Sequence, residues 1–190
     1  MIPAWRPPGA FEGPASAGTT VMSATPWKIL LPVDGSADAL AAVRHAVRWA
    51  GDAPGARFVL ANVQEPASLY EVVVAHDAER IAALKREAGA DLLAPAEALL
   101  DAAGASYESE VAAGTPEHLL VELAETYGCD AVVLGARGQG AAPGAGGLGS
   151  VSRAVLEGST VPVTVVRAPA DVEAGTGAEG ESAAAPDDAA

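Results

Sequence analysis

Several residue types are scarce in this chain of 190 residues. There is one cysteine, Cys129, so no disulfide can form within the chain. Cysteine use of this kind fits a reducing compartment, and we expect a cytoplasmic protein. Aromatic residues make up 4%, so any core is built mainly from Val, Leu, Ile and Ala. No apolar run approaches the roughly 20 residues of a membrane-spanning helix. The opening stretch, MIPAWRPPGAFEGPASAGTTV, has no continuous apolar segment of the kind a secretory signal needs. Positive charge is also short: 11 basic residues face 25 acidic ones, a net charge of −14. That balance repels nucleic acid and anionic membrane surfaces, and neither is expected as a partner. The histidines His45, His76 and His118 form no H-x3-H spacing, so we expect no protein metal site.

Apolar residues are plentiful, at 50%, and they are patterned. Residues 1–26 are rich in Pro, Gly, Ala, Ser and Thr without any period and read as disordered, with a true start near Met22. Residues 169–190 read as a disordered acidic tail. Between them lies one domain, 27–168. Strand-like runs, KILLPV, ARFVLANV, SYESEVAAG, DAVVLG and VPVTVVR, alternate with helix-like segments. In the first helix Leu40, Val43, Val47 and Ala50 share a face, with Ser36 or Asp38 as cap. In the second, Ile81, Leu84, Ala88, Leu92 and Leu99 recur at helical intervals, and Pro95 is expected to bend or interrupt it. Thr115, Pro116 and Gly128 mark the start and stop of a third. Such alternation predicts an α/β fold: an open five-stranded parallel sheet with helices on both faces, flavodoxin/Rossmann-like. Ligands of such sheets bind at the carboxyl ends of the strands, near the point where strand order reverses.

One stretch there is chemically suggestive. GARGQGAAPGAGGLGSVSRAV, Gly135 to Val155, follows the strand-like DAVVL and leads into a helix. Glycines let the backbone approach a ligand closely, and a helix start offers unpaired N–H groups to phosphate. Ser150 could cap the helix or donate to a phosphate. A plain flexible loop before a capped helix has the same composition, and glycine content alone leaves both readings open. A Walker A loop is excluded, because Lys28 and Lys85 are the only lysines and neither lies in a glycine loop. A Rossmann fingerprint is excluded because the first strand ends in PVDGSAD. A receiver domain is excluded because Asp34 stands alone and the last strand ends in Arg167, not a lysine.

KILLPVDGSADALAAVRHAVRWA, GTPEHLLVELAETYGCDAVVLGARGQG and GSVSRAVLEGSTVPVTVVR together resemble the universal stress protein family. The landmarks fall in order: Asp34, Gly114-Thr115-Pro116, Gly135-x-x-Gly138, Gly149-Ser150 and Pro162. The resemblance implies an adenine nucleotide alpha-hydrolase-like fold and, in ATP-binding members, a G-x2-G-x9-G-(S/T) motif. Carried over, Gly135, Gly138, Gly149 and Ser150 line the phosphate path. Ala136, Arg137 and Val151 lend backbone groups to it. Asp34 meets the ribose, Pro32 and Val33 lie near the adenine, and Val63 walls it. ATP is the implied ligand, bringing Mg²⁺ with it. A homodimer through the last strand, at Val163 and Val165, is implied as well. Ten residues, QGAAPGAGGL, separate Gly138 from Gly149, one more than the family's motif has. No nucleophile–base pair is visible, so a regulatory or stress-protective binding protein is expected rather than a dedicated hydrolase. The alternatives are a scaffold without nucleotide and a weak nucleotide hydrolase. Cys129 has no cation beside it in sequence and is expected to be inert.

Overall fold

The computed structural model describes residues 26–51, 55–66, 78–140 and 146–169. Both terminal segments, His76 and residues 141–145 of the glycine tract lie outside the described residues. Five strands, β1 (Lys28–Pro32), β2 (Arg57–Gln64), β3 (Ser106–Ala113), β4 (Ala131–Gly135) and β5 (Val163–Val166), make one sheet. Their order is β3-β2-β1-β4-β5 and every pair is parallel. Among the described residues four helices lie between them: α1 (Ala37–Ala50), α2 (Ala78–Ala102), α3 (Pro116–Thr126) and α4 (Ser150–Gly158). The expected parallel α/β architecture is therefore present.

The middle strands are apolar on both faces because both faces are covered. Ile29, Leu31, Phe58, Leu60 and Val133 point to one side, where α1 and α2 supply Ala42, Val43, Ala46, Leu93, Ala96 and Leu100. Leu30, Val59, Ala61, Val132 and Leu134 point to the other, where α3 and α4 supply Leu120, Leu123, Ala124 and Val155. No helix among the described residues is long and apolar enough to cross a membrane.

Two sequence expectations are corrected. The buried face of α2 runs through Gly89, Leu93, Ala96 and Leu100, while Leu84 and Ala88 are exposed. Small residues set this face: a Cβ at Gly89 would lie 2.5 Å from Val111 Cγ1 and 2.9 Å from Asn62 Oδ1, so the helix sits directly on β2 and β3. α2 also continues through Pro95, so the proline does not interrupt it. Pro95 and Asp91 are both exposed, so water can reach the Asp91 carbonyl that the proline leaves without an amide partner.

Two helix ends follow the capping rules, the start of α1 and the stop of α3. Ser36 Oγ accepts from Ala39 N at 3.1 Å at the start of α1. After α3, Gly128 takes φ +60°, and Cys129 N donates to Ala124 O at 2.8 Å.

Candidate functional site

The strand order reverses between β1 and β4. The chain leaving β1 turns towards α1, and the chain leaving β4 enters the glycine tract, so the two part at their carboxyl ends. A cleft of about 510 Å³ opens between them. Of the residues expected at the site, Pro32, Val33, Asp34, Val63, Gly135, Arg137, Gly138, Gly149, Ser150 and Val151 all line it. Ala136 does not. It is fully buried, its N–H donates to Val166 O at 2.7 Å, and its carbonyl accepts from Gly149 N at 2.8 Å and Ser152 Oγ at 2.8 Å.

One end of the cleft is apolar, formed by Val33, Ala61, Val63, Pro116, Leu120 and Leu134. Its main chain is arranged by a residue that sequence reasoning passed over. In a parallel ladder alternate residues face alternate neighbours. Ala61 faces β1, since its carbonyl accepts from Val33 N at 2.8 Å, whereas Gln64 faces β3, since its carbonyl accepts from Gly114 N at 3.0 Å. Val63 shares the phase of Ala61, but β1 has ended: the last β1–β2 pair is Pro32↔Ala61. The next rung would take Val63 N–H to Val33 O. That carbonyl is instead occupied by Asn62 Nδ2 at 2.7 Å, and Asn62 Oδ1 accepts from Gln64 Nε2 at 2.6 Å. Val63 thus aims an N–H and a C=O past the end of β1 into the cleft. The signal was present in the sequence as a lone amide within the apolar run FVLANV.

Asp34 stands at the middle. Its Oδ1 accepts from Ser36 N at 3.0 Å, and its Oδ2 accepts from Gln139 N at 3.0 Å. Each oxygen keeps a further lone pair. Gly35 takes φ +83° to make the turn, and a Cβ there would lie 2.7 Å from both Gln139 Nε2 and Leu92 Cδ2.

The other end is the start of α4. Gly149 is its N-cap, and no side chain caps the helix, so Ser150 is the first helical residue rather than a cap. The N–H groups of the first turn, Ser150, Val151 and Ser152, have no intrahelical acceptor. All three residues line the cleft. The donors therefore differ in part from those expected. Arg137 N is committed to Asp38 Oδ2 at 3.1 Å, and Gly149 N to Ala136 O. Ser152, buried beneath the turn, donates to Gly135 O at 3.1 Å and Ala136 O at 2.8 Å, and so ties the helix start to the end of β4. Gly135 is also needed for packing: a Cβ there would lie 2.7 Å from Ala39 N and from Asp38 C. Among the described residues no group of three His, Cys, Asp or Glu could hold a metal ion.

The chain matches the Universal stress protein family over residues 27–167. It belongs to that family. The universal stress protein MJ0531 of Methanocaldococcus jannaschii is 28% identical over 142 residues, 75% of this chain and 82% of the relative. Among solved structures, the hypothetical protein MJ0577 superposes with a TM-score of 0.65 at 25% identity, over 74% of this chain and 95% of that one. A universal stress protein in complex with cAMP superposes with a TM-score of 0.50 at 29% identity, over 75% of this chain and 98% of that one. The family's Rossmann-like α/β fold is the fold found here.

Proposed function

We propose that this protein binds an adenine nucleotide in the cleft between β1 and β4 and acts as a regulatory or stress-protective dimer. One observation carries the reading: a single cleft joins an apolar slot edged by the Val63 main chain, a carboxylate, and an uncapped helix start. The three suit a base, a ribose and a phosphate in that order. An N–H and a C=O on one residue complement adenine, whose N1 accepts and whose N6 amino group donates. Guanine presents the opposite pair at those positions. Asp34 has lone pairs left for ribose hydroxyls. The first turn of α4 presents backbone N–H groups and the positive end of its dipole to phosphate. The cAMP complex of a relative supports the nucleotide class.

ATP is the proposed ligand, and Mg²⁺ would be held chiefly by its phosphates. The last strand is the proposed dimer edge, and the proposed location is the cytoplasm. Binding alters a surface that a partner reads; no hydrolytic step is assigned.

Denaturing the purified protein and identifying released nucleotide tests the reading first. Calorimetric titration with Mg-ATP, AMP, cAMP and GTP follows. Saturable binding of one or more adenine nucleotides, with GTP at least tenfold weaker, is expected, in line with the roughly 1.4 kcal/mol that a tenfold difference represents. No saturable binding, or equal binding of GTP, overturns it.

A further inference from the structure

Asp38 is 6% exposed, and Asn62 and Ser152 are the other buried polar residues among those described. It does not line the cleft. It stands in the first turn of α1, yet Ser36 rather than Asp38 caps that helix. Its carboxylate reaches across the carboxyl end of the sheet instead. Oδ2 accepts from Arg137 N at 3.1 Å and lies 3.5 Å from Arg137 Nε, while Oδ1 accepts from Ala168 N at 2.8 Å. One buried carboxylate thus joins the main chain two residues beyond β4 to the main chain two residues beyond β5. Two further contacts fasten the same segments. Ala136 N donates to Val166 O at 2.7 Å, and Arg167 Nη2 donates to Gly147 O at 3.0 Å. The exit of β5 is held against both ends of the glycine tract.

We infer that Asp38 is a positioning residue of the cleft. It sets the corner at Arg137 from which Gly138 and Gln139 are presented to Asp34, and it locks that corner to the end of β5. Ligand affinity then depends on a carboxylate that the ligand does not touch. The inference rests on the cleft being the adenine nucleotide site proposed above.

Charge alone makes the opposite prediction, and this separates the two. Replacing a carboxylate near an anion site by a neutral group strengthens binding through electrostatics. Positioning predicts weaker binding. In Asp38→Asn one side-chain atom becomes a donor facing an N–H, so either Arg137 N or Ala168 N loses its acceptor. A buried donor stripped of a charged acceptor should lower affinity for the adenine nucleotide by roughly ten- to a hundredfold.

The experiment pairs nucleotide titration with residue-resolved amide exchange on the full chain, without ligand. Asp38→Asn should weaken binding and accelerate exchange at Arg137 or Ala168, whichever faces the new amide group, with Leu30 and Val132 still protected. Asp130→Asn is the control. Asp130 accepts from Lys28 N at 2.9 Å at the opposite end of the sheet, so its loss should leave affinity unchanged. Should Asp38→Asn not fold, Ala168→Pro removes one donor beyond the last strand. It should lower affinity by roughly three- to tenfold and quicken exchange at Arg137. Unchanged or tighter binding in Asp38→Asn, or unchanged exchange at Arg137 in both variants, overturns the inference. If wild type binds no nucleotide, the proposed function fails, and the exchange at Arg137 and Ala168 alone decides whether Asp38 links the two segments.

Discussion

Gly138 packs against the carboxylate of Asp34: a Cβ at position 138 would lie 2.6 Å from Asp34 Oδ2. The same oxygen accepts from Gln139 N. The glycine therefore lets the first turn of the tract lie on the carboxylate. In Gly138→Val the side chain must displace Asp34, and the Gln139 hydrogen bond goes with it. Nucleotide affinity should fall at least about tenfold, while the melting temperature changes little because residue 138 is exposed. Calorimetric titration and a thermal melt check both; equal affinity would remove this turn from the site.

Gly135 and Gly149 look equivalent in the motif but should behave differently. A Cβ at Gly135 meets main-chain atoms of α1 at 2.7 Å, which cannot move aside cheaply, whereas the nearest neighbours of a Cβ at Gly149 are 3.6 Å away. Gly135→Ala should lose about 1–3 kcal/mol of stability by overpacking. Gly149→Ala should fold normally and lose affinity, because its methyl group sits at the helix start where phosphate is proposed to approach. Urea unfolding of both variants beside nucleotide titration separates the two roles.

Asn62→Ala leaves the buried Val33 carbonyl without its side-chain donor. The expected cost is about 1–3 kcal/mol. The freed carbonyl can then accept from Val63 N–H, extending the β1–β2 ladder by a rung and withdrawing the donor from the cleft. Preference for adenine over guanine nucleotides should shrink along with stability. Competition between AMP and GMP on the variant measures the first, and urea unfolding the second.

Cys129 lies 6% exposed beside the start of β4, away from the cleft. Burial pushes its thiol up to about 11, against a weaker opposing pull from Lys28. The unfolded thiol titrates near 8.5. Because the folded value is the higher one, the stabilisation is complete below about pH 8.5 and is lost as pH rises through about 11. Tyr127 adds a loss of the same sign at higher pH, since its hydrogen bond to Glu110, followed by burial, raises its phenol. Urea stability should fall over this alkaline range, and Cys129→Ala should flatten the earlier part of the fall. Native Cys129 should react with a thiol reagent only slowly at neutral pH and rapidly in denaturant.

Most of the fold was legible in the sequence because a buried parallel sheet writes itself as short apolar runs separated by amphipathic ones. Asp34, Gly138 and Ser150 were legible because turns and helix starts demand particular residue types locally. What escaped depends on partners distant in sequence. Asn62, Asp38 and Ser152 act through main-chain groups 29, 99 and 16 residues away. No local pattern reports such a contact. Helix phase was missed in α2 for a related reason: Gly89 faces inward because Val111 and Asn62 lie beneath it, and glycine carries no apolar signal.

The expected dimer edge can be tested through its outward main-chain groups. Val163 and Val165 turn their side chains into the cluster formed with α3 and α4. Pro162 and Val166 face β4, since their carbonyls accept from Val132 N and Ala136 N. By alternation Val163 and Val165 aim their N–H and C=O groups outward from the sheet, the property that makes an edge strand a template for pairing. A proline at Val165 removes one outward N–H and no bond to β4. Wild type should sediment as a dimer at micromolar concentration and Val165→Pro as a monomer with the same circular dichroism. A wild-type monomer, or a Val165→Pro dimer of unchanged affinity, would show that this edge is not the interface.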